Sequence, residues 1–192
     1  MSAIRHTIRA TLAAIFSIAA VAALALPGWG ADCPNGEVVK GAANAFISAA
    51  RSNSISGFGA GLDRYANVEE LAMFALGKYR SRLKPEKHDA YVAGARRYMV
   101  LFLADNADRF KGASLTVESC SGDLVKTSLS GSSQMTWRLG GGKIKDVQVS
   151  GIWLALQLRQ NFGNVMKRVR GDIGELIDYL SAKGGETRGK KN

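Results

Sequence analysis

From Ser114 to Ser150 the apolar residues of this chain return every second position, whereas on either side they return at helical spacing. Met135, Trp137 and Leu139 alternate with Thr136 and Arg138. The stretches "SLTVES", "LVKTSLS", "SQMTWRL" and "KIKDVQVS" read as short strands separated by glycine and serine. "GGGK", Gly140 to Lys143, reads as a hairpin turn. A strand follows it where a phosphate-binding loop needs a helix. The order of helices, antiparallel meander and helices predicts an α+β fold, with helices packed on a small antiparallel sheet.

The helical half opens with "GEVVKGAANAFISAAR", where Val38, Ala42, Ala45, Phe46 and Ala49 share a face. "SNSISGFGAG" is expected to break it as a flexible loop. Its Gly57, Gly59 and Gly61 lack the preceding strand and the spacing of a dinucleotide fingerprint. Asn67 and Glu70 form the capping-box pattern of a short second helix, with apolar face Leu71, Phe74 and Ala75, stopped at Gly77. Pro85 opens a long third helix expected to reach Phe110. After the sheet, Val147, Val149 and Gly151 run into Ile152, Leu156, Leu158 and Phe162, which predicts a strand feeding straight into an amphipathic helix. Asp172, with Glu175 three residues on, caps a last helix carrying Ile173, Leu176, Ile177 and Leu180.

Residues 1–30 have the pattern of a cleaved secretory signal: Arg5 and Arg9, an uncharged apolar run, then Gly28 and Gly30 before Ala31. A membrane anchor is the alternative reading. Export to an oxidising compartment is expected, with residues 31–184 as one domain and 185–192 as a basic flexible tail. The chain has 26 Lys and Arg against 16 Asp and Glu, a formal charge of +10, and stays basic once the signal is removed. That balance suits anionic partners such as lipid headgroups or acidic protein faces; nucleic acid is not expected outside the cytoplasm. In such a compartment Cys33 and Cys120 are expected to pair, with two independent thiols as the alternative.

A compact catalytic set is not apparent. His88 lies in the charged helix start "PEKHDAY", and no "GxSxG" accompanies it. Cys33, His88 and Cys120 are too scattered in sequence for a metal site, and none is expected. Asp146 is the one carboxylate that a catalytic reading would use, as a general base. Periodicity alone does not separate a solid core from a cavity.

Two segments resemble the MlaC family of periplasmic phospholipid-binding proteins, also called toluene-tolerance proteins. One is "LGKYRSRLKPEKHDAYVAGARRYMVLFLADNADRF". The other runs from "MTWRLGGGKIKDVQVSGIWL" to "GELIDYLSAK", where Asp146, Val147, Val149, Gly151, Ile152, Arg159, Phe162, Gly171, Leu176, Ile177 and Leu180 match the family's pattern. The chain departs from it with Trp153 in place of serine and Gly142 in place of tryptophan.

The resemblance implies an α+β fold enclosing an apolar pocket and a non-enzymatic periplasmic carrier. The cargo would be a phospholipid, with no cofactor. The carrier would shuttle it between an outer-membrane lipoprotein complex and an inner-membrane ABC transporter complex, as a monomer, in the service of outer-membrane lipid asymmetry. A hopanoid-linked paralogue, a small periplasmic enzyme using Asp146 and a protein-binding adaptor are the alternatives. On this reading Phe74, Tyr98, Met99, Phe102, Val147, Val149, Ile152 and Phe162 are expected to face the lipid. The cluster Lys78, Arg80, Arg82, Lys84 and Lys87 is expected to dock acidic partners or headgroups.

Overall fold

The computed structural model describes residues 33–130 and 133–183. The expected export signal and basic tail lie outside the described residues. Six α-helices flank a five-stranded antiparallel sheet, in the order α1 (Pro34–Arg51), α2 (Ile55–Tyr65), α3 (Val68–Leu76), α4 (His88–Asp105), then β1 (Leu115–Ser121), β2 (Leu124–Leu129), β3 (Ser133–Gly140), β4 (Lys143–Val149), β5 (Ile152–Trp153), and finally α5 (Leu154–Arg168) and α6 (Ile173–Lys183). This is the α+β class the period change predicts. No helix among the described residues is long and apolar enough to cross a membrane.

The sheet is a meander in which each strand pairs with its sequence neighbour. Gly141 and Gly142 both take positive φ, +59° and +71°, which a two-residue turn of this hand requires. Ser150 and Gly151 repeat the device at +51° and +82°. The chain therefore reverses there, and Ile152–Trp153 adds a short fifth strand before α5. The expectation that β4 runs straight into a helix is corrected by that reversal.

The glycine-rich stretch expected as a loop is α2. The Ser54 hydroxyl caps it, accepting from the Gly57 N–H at 2.9 Å. Its glycines serve close packing. A Cβ on Gly61 would stand 2.7 Å from the Phe46 ring, and one on Gly57 would stand 3.0 Å from Ala49 Cβ. The loss of helix propensity, about 1 kcal/mol per glycine, is offset by bringing α2 against α1. The Arg96 guanidinium then ties α2 to α4 through two 2.6 Å bonds to the Asp63 carboxylate, which holds that carboxyl below its ordinary pKa.

Helix α3 begins as predicted, with Asn67 Oδ1 accepting from the Glu70 N–H and Asn67 Nδ2 donating to the Glu70 carboxylate. Gly77 ends it at φ +58°. A 3-10 turn at Pro85–Lys87 leads into α4. That helix stops at Asp105, five residues short of the expected Phe110, because the Asn106 side chain folds back to donate to the Phe102 carbonyl at 2.8 Å. Another 3-10 turn, Ala107–Arg109, and Gly112 at φ +70° complete the descent to the sheet.

The core lies between the helices and the sheet. Tyr91, Phe58, Phe162, Leu76, Met166, Leu176 and Leu180 are fully buried with Val125 and Leu139 of the sheet. The Tyr91 hydroxyl is satisfied by the Ala72 carbonyl at 2.6 Å, and the Trp137 indole donates to Thr127 at 2.9 Å. Burial pushes the Tyr91 phenol well above its ordinary pKa. A disulfide joins Cys33, at the N-terminus of α1, to Cys120 of β1, with Cα atoms 6.1 Å apart.

Candidate functional site: an apolar cavity beside a basic cleft

Five helices and two strands leave a cavity of about 110 Å³ between them. Phe46 of α1, Leu62 of α2, Leu71 of α3 and Met99, Phe102 and Leu103 of α4 form one side. Trp137 of β3, Ile144 and Val147 of β4, and Leu154, Gln157, Leu158 and Asn161 of α5 form the other. The α5 residues are a stripe at i, i+3, i+4 and i+7, which is the facing edge of one helix. Phe102 is 38 % exposed, so the cavity meets the surface there.

The polar side chains on this wall are engaged with one another. Gln157 Nε2 donates to Asn161 Oδ1, and Asn161 Nδ2 donates to the Tyr98 hydroxyl, each at 3.2 Å. The Tyr98 ring meets Phe162 edge-on at 5.3 Å. Asp146 is 8 % exposed, and its Oδ1 accepts from the N–H groups of Val147 at 2.8 Å and Ala155 at 3.0 Å. Burial raises the Asp146 pKa, while those two N–H groups and Arg138 oppose the rise. The interior therefore presents an almost wholly apolar surface to a guest.

A second, polar cleft of about 490 Å³ adjoins the cavity and shares Leu71 and Asp146 with it. Three cations from three elements line it: Arg80, Arg138 and Lys145. Phe74, Trp153 and Leu156 supply apolar walls, and Glu70 is its other carboxylate.

Of the residues expected to face a lipid, Met99, Phe102 and Val147 line the cavity. Phe74 lines the cleft instead, with the Arg159 guanidinium 5.4 Å from its ring centre. Phe162 is a core residue, 1 % exposed, behind Tyr98. Val149 packs at the sheet end opposite Met135, and Ile152 is 57 % exposed. Neither is among the cavity-lining residues. Of the stripe expected on α5, Leu158 lines the cavity, whereas Leu154, Gln157 and Asn161 lie on a neighbouring stripe whose polar members carry no hydrophobic signal. Leu62 shares a helical stripe with Ile55, Phe58 and Tyr65, a signal that the glycines and serines of the same stretch obscure.

The expected docking cluster is spread over two 3-10 turns, Gly77–Arg82 and Pro85–Lys87, with Lys84 in the two-residue link between them. Arg80 is exposed and folds back on α3, donating to the Met73 carbonyl from Nε and Nη2 at 3.3 and 2.8 Å. Arg82 donates to the Gly171 carbonyl, and Arg82 and Lys78 both stand over the Tyr79 ring. Lys84 and Lys87 are exposed. His88 pairs with Glu69 and Asp89, outside both the cavity and the basic cleft. Among the described residues no group of three His, Cys, Asp or Glu is placed to hold a metal ion.

The fold is similar to that of a phospholipid-binding protein from Ralstonia solanacearum, solved in complex with a phospholipid. The two superpose with a TM-score of 0.65 at 15 % identity, over 81 % of this chain and 97 % of the other. No curated protein matches the chain. A family model described as "MlaC protein" matches residues 47–182, from the second half of α1 almost to the end of α6, and so takes in every residue that lines the cavity except Phe46. With that match over most of its length, the chain belongs to the MlaC family.

Proposed function

We propose that this protein binds a phospholipid by its acyl chains and carries it across the periplasm, between an outer-membrane lipoprotein complex and an inner-membrane ABC transporter. The observation that carries the reading is the apolar cavity opening at Phe102 beside a cation-lined cleft. Family membership and a neighbour of like fold that holds a phospholipid support it.

The physical need is large. Two acyl chains carry roughly thirty methylenes, worth on the order of 25 kcal/mol against water. A free lipid does not cross an aqueous gap at a useful rate. A carrier needs walls nearly as apolar as the membrane, so that entry and exit are close to balanced. The cavity is of the order of one that takes benzene, about 150 Å³, and is smaller than a pair of acyl chains. Loading therefore requires α4 and α5 to part or their cavity side chains to swing out. Phe102, already half in solvent, is the natural first mover.

Asp146 as a catalytic base fits less well. Its Oδ1 is held by two backbone N–H groups, and no second catalytic side chain faces it across the cavity. The carrier reading is tested by incubating the purified protein with donor vesicles holding a labelled phospholipid and unlabelled acceptor vesicles. Transfer should rise in proportion to protein concentration. A rate indistinguishable from the protein-free control overturns it.

A further inference from the structure

The cleft beside the cavity holds a convergence that a lipid-tail pocket does not need. Arg138 comes from β3, Lys145 from β4 and Arg80 from the turn after α3, and all three border one space. Each is held in place. The Arg138 guanidinium lies over the Trp153 ring at 4.3 Å, Arg80 is anchored on the Met73 carbonyl, and Lys145 Nζ reaches Glu70 at 3.2 Å.

Lys145 is there because of an irregularity in the sheet. Arg138 opposes Asp146 and Leu139 opposes Ile144, so Lys145 is the extra residue of a β-bulge. A bulge re-aims a side chain, and this one puts Lys145 on the same cleft as Arg138. Glu70 and Asp146 offset the cations only in part. Asp146 spends its Oδ1 on backbone N–H groups, and Glu70 also accepts from Asn67.

We propose that this cleft is an anion subsite that seats the phosphate of the bound lipid on Arg138 and Lys145, with Arg80 at its rim, while the chains lie in the adjoining cavity. A guanidinium and an ammonium together suit a phosphate, the first by its paired donors and the second as a point charge. The proposal rests on the lipid reading above, and adds that the headgroup is selected by charge rather than left in solvent.

The test uses the whole exported protein and three probes: vesicles of phosphatidylglycerol, vesicles doped with diacylglycerol of the same chains, and inorganic phosphate. Protein is re-isolated and bound lipid counted by mass spectrometry. Wild type should retain the phosphatidylglycerol at least tenfold better than the diacylglycerol, since bonds to a charged group are worth about 1.5–3 kcal/mol. R138Q combined with K145Q should abolish that preference while leaving diacylglycerol retention unchanged. Millimolar inorganic phosphate should not displace the lipid. Equal retention of the two lipids by wild type overturns the subsite and leaves the carrier standing. So does phosphate binding that excludes the lipid, which would make the cleft a free-phosphate site. Retention of neither lipid by wild type overturns the carrier reading, and the subsite with it.

Discussion

The carboxylate of Asp146, on β4, accepts the backbone N–H of Ala155 at 3.0 Å. Helix α5 has no side-chain cap of its own, because Trp153 stands at the N-cap position. A strand residue nine positions earlier therefore caps the helix that forms one wall of the cavity. Asp146→Ala leaves that N–H and the one on Val147 without their partner. We expect a loss of about 1–2 kcal/mol in urea unfolding, with no loss of lipid retention per folded molecule. A selective loss of retention at normal stability would give Asp146 a direct role at the guest.

The same residue sets a pH signature. Burial raises its pKa in the fold above the ordinary 3.8. The folded state then binds its proton more readily than the unfolded chain, so this contribution to stability falls as pH rises through the raised value. Going down in pH toward 3.8, wild type should gain stability relative to Asp146→Asn. Unfolding both proteins at a series of pH values gives the difference directly, and a difference that shrinks as pH falls contradicts the assignment.

Phe102 is predicted to gate the cavity. Phe102→Asp places a carboxylate at the mouth with no partner among the apolar lining. Retained phospholipid should fall by about tenfold or more, since an unpaired charge at an apolar site costs well over 1.4 kcal/mol. A folded variant that carries lipid at the wild-type level removes Phe102 from the site. Leu158→Trp approaches the same space from α5 by filling it, and should also reduce loading.

The Cys33–Cys120 bridge closes a span of 87 residues. Chain entropy alone would assign it about 4.6 kcal/mol, as an upper figure. Replacing both cysteines by serine should lower the unfolding midpoint and loosen the N-terminus of α1. Thiol labelling of the denatured, unreduced protein should find no reactive cysteine; two per chain would refute the bridge.

How much of this was visible in the sequence depended on whether a residue's role was local. Met135, Trp137 and Leu139 announce a half-buried strand because a strand's faces alternate whatever it packs on. Gly141 and Gly142 announce the turn because few other residues accept their backbone. Helix α2 was hidden for the opposite reason. Gly57 and Gly61, which read locally as helix breakers, are there for the neighbours Ala49 and Phe46 on another helix, and they mask the helical spacing of Ile55, Phe58, Leu62 and Tyr65. Gly61→Ala tests this: the methyl would meet the Phe46 ring at 2.7 Å. It should cost about 1–3 kcal/mol by overpacking, outweighing the roughly 1 kcal/mol gained in propensity.

The site was legible by face but not by depth. Periodicity put Met99 and Phe102 on the inner side of their helix, and there they line the cavity. It put Phe162 on the inner side too, yet Tyr98 lies edge-on against it and it fills core. The bulge that swings Lys145 toward Arg138 leaves no trace in composition. It arises from the register of two strands, which no single strand specifies.

The measurement closest to the central claim is lipid extraction and mass spectrometry of the exported protein, purified without detergent. The account predicts phospholipid bound in stoichiometric amount, about one molecule per chain. Protein that emerges free of lipid, and stays free after incubation with liposomes, would contradict it.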